Sequence, residues 1–486
     1  MSSIDEIRSD RINKLTLLKE RGIDPYPTEN SITHSVQEFT NSFESLEKSG
    51  EPVTIGGRIK SIRTHGGSAF VDIFDGTNKT QIFIKKDEVG EEAYQLFADT
   101  IDKDDFIEAT GNTYTTKRGE KSLLAKSWKI LAKSIRPIPD EWFGLKDEEE
   151  RYRKRYLDIL LNEKTHDLIK KRSVFWNTFR DYLLKQDFIE VETPILENTT
   201  GGAEARPFTT HHNALDIDLF LRISAGELWQ KRLLIGGLPK VFEIGRIFRN
   251  EGMSSEHLQD YTQLEFYMAF SDFKKGMAMV KEMYQLVAKK TFGTSKFSIR
   301  NFEVDLSSEW HLYHFSDLIE KEYGVNPRKA TLDVLEAKLK KAHIDYDQKT
   351  INIERAVDLL WKKIRKTIGG PGFLVGVPVY LEPLAKKSPE DKNTVERFQI
   401  IIAGSEVGKG FSELNDPIDQ AERFAHQQAL RDAGDDEAQM ADNDFVEALE
   451  YGMPPAFGFG VSERLFSFLA GESVREAQIF PLMRPR

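Results

Sequence analysis

Apolar positions recur every three to five residues between Ile4 and Leu18, and Ser3 and Glu6 precede them at capping-box spacing. This spacing predicts a helix over 3–21. Further along the chain the hydrophobic period changes to that of short strands, so the N-terminal part is predicted to combine one helix with a β-rich segment.

Between Val53 and Pro139, short alternating segments are separated by Gly or Asn turns, which is typical of a small barrel, with an OB-fold as one of several candidates. Alternation in TQIFIK places Gln81 and Phe83 on one face, and Phe70 lies on the preceding segment. Aromatic rings beside an amide on a solvated sheet could stack on single-stranded bases and read their edges. The same phenylalanines could instead close the barrel against the next domain.

Charge favours the first of these interpretations. The segment from Thr110 to Pro139 carries seven basic residues and one acid, namely Lys117, Arg118, Lys121, Lys126, Lys129, Lys133 and Arg136 with Glu120. This local surplus predicts a phosphate-facing edge, although the whole chain has a net charge of -11, which opposes general attraction to nucleic acid.

Composition narrows the class of protein. With 486 residues, 39% of them hydrophobic and 30% charged, the chain has the length of about three average domains and the balance of a globular protein. The absence of Cys excludes disulfide scaffolds, thiolate zinc sites and a cysteine nucleophile. Because no apolar leader and no apolar run of bilayer length is present, we expect a cytoplasmic protein without a membrane segment.

After about residue 141, strand and helix patterns alternate without a regular βαβ order. An amphipathic helix is predicted over 166–186, and strands are predicted at FIEVETPIL, LFLRIS, KVFEIGRIF, YTQLEFYMAF and RFQIIIAG. The irregular order predicts an α+β domain with an antiparallel sheet. A glycine-rich nucleotide loop is excluded, since neither GxxxxGK[ST] nor GxGxxG occurs.

Three clusters in this part of the chain combine charges with glycines or strand ends. They are the loop with Arg249, Glu251, Glu256, His257 and Asp260, the segment EVGKGFSELND with Glu406, Lys409, Glu413 and Asp416, and the segment GFGVSERL with Gly458, Gly460, Glu463 and Arg464. Surface salt bridges would explain any one of them. Three in one domain favour a functional pocket.

The order FIEVETPIL, FRNEG and a Gly-rich strand that ends in an arginine helix resembles motifs one, two and three of class II aminoacyl-tRNA synthetases. GLKDEEERYRKRYLD, GGAEARPFTTHHNALDIDLFLRI, GFSELNDPIDQAERF, AGDDEA and FPLMRP are similar to segments of class II lysyl-tRNA synthetases, and the similarity covers essentially the whole chain. It implies an α+β protein. Residues 1–140 would form the N-terminal helix and an OB-fold anticodon-binding domain. Residues 141–486 would form a class II catalytic domain, an antiparallel sheet flanked by helices.

The resemblance also implies a reaction. ATP would activate L-lysine to lysyl-adenylate, and the lysyl group would pass to the 3′ end of tRNA(Lys), with Mg²⁺ accompanying ATP. Because the substrate carboxylate is the nucleophile, the enzyme would act by positioning and charge neutralisation, with Arg249 and Arg464 as catalytic residues. Motif one, including Pro194, would form a homodimer interface.

The family positions map onto this sequence residue by residue. The implied ATP-binding residues are Arg249, Glu251, His257, Tyr261, Glu406 and Arg464. The implied lysine-binding residues are Gly202, Glu227, Arg249, Glu265, Tyr267, Lys409, Phe411 and Glu413. The implied anticodon-binding residues are Phe70, Gln81 and Glu120.

Several positions depart from the family pattern, including Val461 and Ser462 in motif three. Gln399 stands where the family usually has the first of two acids that hold magnesium, Glu406 being the second, and an amide is a poorer ligand for this cation. Lys409 replaces an asparagine, and Glu256 replaces a basic residue. We hypothesise that Lys409 supplies part of the positive charge that a weaker metal site lacks. The departures leave two alternatives open, a non-aminoacylating RNA-binding or regulatory paralogue and a class II synthetase with altered amino-acid specificity.

Overall fold

The structure is a computed structural model that describes residues 3–139, 145, 147–203, 205–252, 254, 257–348, 350–435 and 438–485. The chain divides into two compact units, residues 1–148 and residues 149–486. The predicted domain boundary at residue 140, Glu256, and parts of the segments GLKDEEERYRKRYLD, GGAEARPFTTHHNALDIDLFLRI and AGDDEA lie outside the described residues.

The first unit begins with the predicted helix. The Ser3 hydroxyl accepts from the Glu6 amide and the Glu6 carboxylate accepts from the Ser3 amide, which is a complete capping box. The elements are α1 (Ile4–Glu20), α2 (Val36–Asn41), α3 (Phe43–Ser49), β1 (Val53–His65), β2 (Ser68–Phe74), β3 (Lys79–Lys85), α4 (Lys86–Val89), α5 (Glu91–Thr100), β4 (Phe106–Thr115) and β5 (Lys121–Ala132).

The strands of this unit close into a barrel with the order β1-β2-β3-β5-β4, which confirms the predicted small barrel. Strands β3 and β5 are parallel, and the other neighbours are antiparallel. Ile55, Val71, Ile82 and Ile84 are fully buried inside it. The alternation of the sequence therefore correctly predicts which residues fill the barrel.

The expected solvated face of β3 needs correction. Gln81 is only 5% exposed and Phe83 only 7%. Phe83 stands opposite Phe70 in the ladder and stacks on it with ring centroids 4.3 Å apart. The Gln81 amide donates to Asp72 at 3.3 Å and accepts from the Ser122 hydroxyl at 3.1 Å. Ring stacking and these side-chain hydrogen bonds cover the face, so Gln81 is not open to solvent.

The predicted basic edge is also smaller than the sequence suggests. Lys133 is completely buried, with its ammonium 2.6 Å from Asp102 and 2.7 Å from Asp105. Lys121 pairs with Glu44, and Lys126 pairs with Glu88. Part of the positive surplus is therefore neutralised locally, because acids from distant parts of the sequence meet these lysines.

The second unit contains a large sheet flanked by helices. Its elements from residue 148 are α6 (Glu148–Arg153), α7 (Arg155–Leu161), α8 (Glu163–Leu184), β6 (Ile189–Glu190), β7 (Leu196–Glu197), β8 (Thr209–His212), β9 (Ile217–Leu221), α9 (Glu227–Ile235), β10 (Lys240–Phe248), β11 (Asp260–Ala269), α10 (Phe273–Phe292), β12 (Lys296–Ile299), β13 (Phe302–Asp305), β14 (His311–His314), α11 (Phe315–Tyr323), α12 (Leu332–Lys341), α13 (Ile353–Ile364), β15 (Gly372–Val375), β16 (Arg397–Ile402), β17 (Ser405–Ser412), α14 (Pro417–Asp432), α15 (Asn443–Glu450), β18 (Ala456–Ser462), α16 (Arg464–Ala470) and α17 (Val474–Ala477). Two 3-10 helices cover Arg365–Thr367 and Val379–Leu381.

The main sheet has the order β14-β15-β16-β17-β18-β11-β10-β6 and is antiparallel except at its outermost pairs, which confirms the predicted α+β class. Phe175 and Phe179 of α8 and Val280 of α10 pack in one core with Phe266 and Phe459 of the sheet. No helix in the described ranges is long and apolar enough to cross a bilayer.

The predicted strand FIEVETPIL is mostly not a strand. Only the two-residue elements β6 and β7 form, because the Thr193 amide and hydroxyl both donate to the Glu243 carboxylate, at 3.0 and 2.6 Å. Pro194 follows and has no amide hydrogen to contribute to a ladder. The chain therefore leaves the sheet after Glu190.

The register of four neighbouring strands places candidate residues in two transverse rows. Side chains two residues apart on a strand point to the same face, so both rows project from one side of the sheet. The first row is Gln399, Lys409, Gly460 and Glu265, and the second is Arg397, Phe411, Gly458 and Tyr267. Gly458 of β18 leaves room for the Glu413 carboxylate and the Tyr267 ring, since a Cβ at this position would lie 2.1 Å from Glu413 Oε1 and 2.4 Å from the Tyr267 ring.

Candidate functional site

A cavity of about 360 Å³ lies over these rows in the second unit. It collects most of the candidate residues of this unit into one wall, namely Gly202, Glu227, Arg249, Tyr261, Glu265, Tyr267, Gln399, Glu406, Lys409, Phe411 and Arg464. Residues that are far apart in sequence thus meet where the pattern of charged clusters predicts a pocket.

The other candidates of this unit lie beside the cavity. Glu251 and His257 line a smaller adjoining pocket that shares Arg249, Tyr261 and Arg464 with the cavity. Glu413 is buried next to Gly458. Phe70, Gln81 and Glu120 belong to the first unit, where Phe70 is half-buried and Glu120 is exposed.

A buried lysine joins two of the acids. The Lys231 ammonium lies 2.8 Å from Glu227 Oε1 and 2.6 Å from Glu413 Oε2, and its side chain is 1% exposed. Lys231 is not foreseen from the sequence. The available signal is its position four residues after Glu227, which places both side chains on one face of α9.

Glu265 is held by three donors. Its Oε1 accepts from the Ala225 amide at 2.9 Å and from the Gln263 side chain at 2.6 Å, and its Oε2 accepts from the Tyr267 hydroxyl at 3.0 Å. Burial, together with the negative charge of Glu227, nevertheless raises the pKa of Glu265 to about 7. The carboxylate is therefore fixed in position and binds a proton readily while no cation is beside it.

Glu413 behaves similarly at the bottom of the site. Burial raises its pKa to about 8 even though Lys231 acts in the opposite direction. Both of its oxygens are buried without a hydrogen-bond partner among the described residues, and only Oε2 is compensated by an ion pair, with the Lys231 ammonium 2.6 Å away. Such a buried acceptor is costly unless a ligand supplies the missing donor.

Aromatic rings surround the cationic groups. The ring centroid of Phe411 lies 5.4 Å from the Lys231 ammonium and 5.8 Å from the Lys409 ammonium. Tyr267 adds a ring 5.8 Å from Lys231. Acids and ring faces together form a binding site suited to ammonium groups.

Another part of the cavity carries positive charge. The Arg249 guanidinium donates to the Ile223 carbonyl at 3.3 Å and lies 5.8 Å from the ring centroid of Tyr261. Arg464 donates to the Glu406 carbonyl at 3.4 Å. In the adjoining pocket, His257 Nδ1 lies 2.8 Å from the Ser254 hydroxyl. These guanidinium and imidazole groups suit an anionic ligand such as a polyphosphate or a carboxylate.

Gln399 and Glu406 do not fit a magnesium clamp of two carboxylates. The side-chain carbonyl oxygen of Gln399 accepts a hydrogen bond from the Arg397 guanidinium. The oxygen that would coordinate the metal is therefore already occupied, and a positive charge lies beside it. One carboxylate oxygen of Glu406 accepts from the Trp361 indole at 2.6 Å. Across the described ranges, no group of three or more His, Asp or Glu residues is arranged to hold a metal ion.

Glu382 and Arg397 also line the cavity and are not foreseen from the sequence. Glu382 forms an ion pair with the Arg397 guanidinium at 3.0 Å and lies 3.4 Å from the Lys409 ammonium. Lys409 is 41% exposed and lines the cavity. Glu382, Arg397, Gln399 and Lys409 thus form one network at the position where the family pattern has a metal ligand.

Known protein families and known proteins match this chain over nearly its whole length. A family model described as tRNA synthetases class II (D, K and N) matches residues 147–484, and one described as OB-fold nucleic acid binding domain matches residues 53–131. The lysine–tRNA ligase of Thermosipho africanus is 41% identical over 488 residues, covering 99% of this chain and 97% of that protein. The lysine–tRNA ligase of Bacillus subtilis is 40% identical over 489 residues, with coverage of 99% and 97%.

Proposed function

This chain belongs to the class II tRNA synthetases, and we propose that it activates L-lysine with ATP and transfers the lysyl group to the 3′ end of tRNA(Lys). One observation carries the choice of lysine. Glu413 presents a buried oxygen without a hydrogen-bond partner among the described residues, in a site of acids and aromatic rings. A side-chain ammonium supplies both the charge and the hydrogen that this oxygen needs.

In the first step the lysine carboxylate attacks the α-phosphorus of ATP, a phosphorus–oxygen bond forms, and pyrophosphate leaves. In the second step the terminal hydroxyl of the tRNA attacks the lysyl carbonyl, and AMP leaves. Arg249 would bridge the substrate carboxylate and the α-phosphate, because its planar fork can bind two oxygens at once. Arg464 would neutralise charge on the γ-phosphate side.

The remaining candidates would position the substrates. Glu227 with Gly202 would bind the α-ammonium group, while Tyr267 and Glu413 would bind the ε-ammonium group with Glu265 between them.

Tyr261 would stack on adenine, Glu251 would contact its amino group, and His257 would contact the polyphosphate. These contacts would hold both reacting groups in line, which is the main contribution that this reaction needs from the protein.

Magnesium would enter with ATP, and Lys409 would supply part of the positive charge that Gln399 cannot attract. This proposal rests on the network described above. In it, Lys409 lines the cavity, and Arg397 donates a hydrogen bond to the side-chain oxygen of Gln399. An ammonium group neutralises the negative charge of a phosphate or a carboxylate directly, and no metal-coordinating side chain is needed for this.

Lys409→Ala is expected to lower lysine-dependent exchange about tenfold and to raise the magnesium concentration needed for half-maximal rate, because one cavity cation is lost. ATP–pyrophosphate exchange across a magnesium series measures both effects. Lys392→Ala is the matched control, since Lys392 is exposed and does not line the cavity. Unchanged rate and magnesium dependence in Lys409→Ala would show that the proposed charge compensation is wrong.

The proposed partners also have support in the described residues. Phe70 and Glu120 are accessible for anticodon bases, and Gln81 supports the same face of the barrel through Asp72. Pro194 is flanked by the exposed apolar side chains of Ile189, Ile195 and Leu196, which favours a homodimer through motif one. Cytoplasmic localisation stays a prediction.

Lysine-dependent ATP–pyrophosphate exchange, run beside other amino acids as competitors, tests the proposed function. We expect exchange with lysine and charging of tRNA(Lys). Exchange with no amino acid would favour the RNA-binding or regulatory paralogue, and stronger exchange with another amino acid would change the proposed specificity.

The affinity for lysine is expected to rise with pH. The pKa values of Glu265 and Glu413 are raised to about 7 and about 8, so lysine must displace protons from both acids below these values. Between pH 6.5 and 8.0 we expect the KM for lysine to fall about tenfold while the KM for ATP changes less. A flat or rising KM for lysine would contradict the proposed ionic site.

The raised pKa values of these two acids also make the stability of the protein without lysine depend on pH, and this stability is expected to fall as the pH rises. Because the folded protein binds these protons more tightly than the unfolded chain, their stabilising contribution is present at acid pH and is lost as the pH rises to about 8. The increase in Tm on adding lysine should therefore grow from pH 6.5 to 8.0, which differential scanning fluorimetry measures.

A further inference from the structure

We propose that Lys231 is a specificity-determining positioning residue, which holds Glu227 and Glu413 so that each turns one oxygen toward a diamino-acid substrate. This inference rests on the proposed function and adds a residue that makes no contact with substrate itself. Lys231 is completely buried and does not line the cavity.

The geometry divides the oxygens of the two acids between the protein and a ligand. Lys231 takes Oε1 of Glu227 at 2.8 Å and Oε2 of Glu413 at 2.6 Å. Neither oxygen of Glu413 has a hydrogen-bond partner among the described residues, but Oε2 is ion-paired with Lys231, whereas Oε1 faces the position of Gly458, which lines the cavity. Glu227 lines the cavity directly. The lysine therefore fixes both carboxylates from behind and leaves their cavity side for substrate.

The charges of this cluster match a substrate with two ammonium groups. Glu227, Glu265 and Glu413 carry three negative charges when ionised, and Lys231 supplies one positive charge. The remaining two negative charges are neutralised by the α- and ε-ammonium groups of one lysine. A monoamino acid of the same length would leave one of these buried acids without a cation, so that acid would have to bind a proton or remain as an unpaired buried charge.

Lys231 is built into this position from several sides. Its place one turn after Glu227 on α9 makes the first ion pair local, whereas Glu413 comes from the end of β17. Tyr267, Phe411 and Phe445 place ring centroids 5.8, 5.4 and 5.9 Å from the ammonium. Burial alone would lower the pKa of Lys231, but Glu227 and Glu413 raise it above its ordinary value. The titratable groups around it are thus Glu227, Glu413, Glu265 and Tyr267.

Lys231→Met and Lys231→Arg test the proposal through lysine-dependent ATP–pyrophosphate exchange at pH 6.5, 7.5 and 8.5. Without the cation, Glu413 holds a proton more tightly and both acids lose their fixed orientation. We expect Lys231→Met to raise the KM for lysine about tenfold or more at pH 7.5, with kcat and the KM for ATP changed less than about threefold. Its lysine affinity should recover toward pH 8.5, and its preference for lysine over norleucine should fall. Lys231→Arg retains the charge and should keep the pH profile of the wild-type protein.

Lys133→Met is the matched control. Lys133 is likewise completely buried between two carboxylates, those of Asp102 and Asp105, but it lies in the first unit. This variant should lose thermal stability and retain the wild-type KM for lysine in the tRNA-independent exchange reaction.

Three results would overturn the proposal. One is a folded Lys231→Met protein with the wild-type KM and pH profile for lysine, and another is an equal rise in the KM for ATP. The third is a Lys231→Arg protein whose lysine affinity recovers only at high pH. If Lys231→Met does not fold, the pH profile of Lys231→Arg decides alone. Failure of the wild-type protein to exchange with lysine would instead contradict the proposed function.

Discussion

Glu413→Gln is expected to lower kcat/KM for lysine about a thousandfold. Removing one partner of a buried ion pair costs about 3–5 kcal/mol, and 1.4 kcal/mol corresponds to a factor of ten. The substituted amide would face the ε-ammonium group with a neutral oxygen and would leave Lys231 with Glu227 as its one remaining carboxylate at this ion pair. ATP–pyrophosphate exchange over a lysine series measures the loss.

The structure offers a control that separates specificity from stability. Asp158 is also buried and pairs with Arg151 and Arg155 in the same unit, outside the cavity wall. Asp158→Asn should lower the unfolding temperature and leave the KM for lysine close to that of the wild-type protein. An equal loss of lysine activation in both variants would mean that Glu413 acts through stability alone.

Arg249→Ala is expected to lower the kcat of exchange about 100- to 1000-fold, the usual effect of removing one donor that stabilises a developing anion. Arg249 belongs both to the main cavity and to the adjoining pocket, so one guanidinium borders the sites proposed for lysine and for phosphates. Arg249→Lys should recover only part of the rate, because a single ammonium cannot form two parallel hydrogen bonds. Single-turnover formation of the adenylate separates this effect from product release.

Arg246→Ala provides the comparison for this second variant. Arg246 lies on β10, which ends one residue before Arg249, pairs with Asp260 and does not line the cavity. We expect its exchange rate to stay within about threefold of the wild-type rate, in the range of a partly exposed ion pair. A small effect of Arg249→Ala at saturating lysine and ATP would contradict its role at the reacting groups.

Local features of the fold are predictable from the sequence alone. The start of the first helix depends on Ser3 and Glu6, which are only three residues apart in the chain. The barrel core depends on apolar residues at every second position, as Ile82 and Ile84 show. The segment around Thr193 is different. Its hydrogen bonds go to Glu243, fifty residues away, and this long-range contact replaces the expected strand.

The same distinction applies to the site. Charged clusters and family motifs indicate the cavity, and β-strand register brings Lys409, Gly460 and Glu265 into one row. The burial of Lys231 and Lys133 is not visible in the sequence, because a lysine is usually exposed and its burial depends on two carboxylates that only the fold supplies. Glu382 is missed for the same reason, since its partner Arg397 lies on another element.

Lys231 also sets the spacing of the two acids that are proposed for the substrate amines. Its ammonium lies 2.8 Å from Glu227 and 2.6 Å from Glu413, so the two carboxylates stand at a fixed separation. A diamino acid that is one methylene shorter and binds Glu227 with its α-ammonium group would leave its second ammonium group short of Glu413. The fixed placement of the two acids therefore contributes to the choice of chain length.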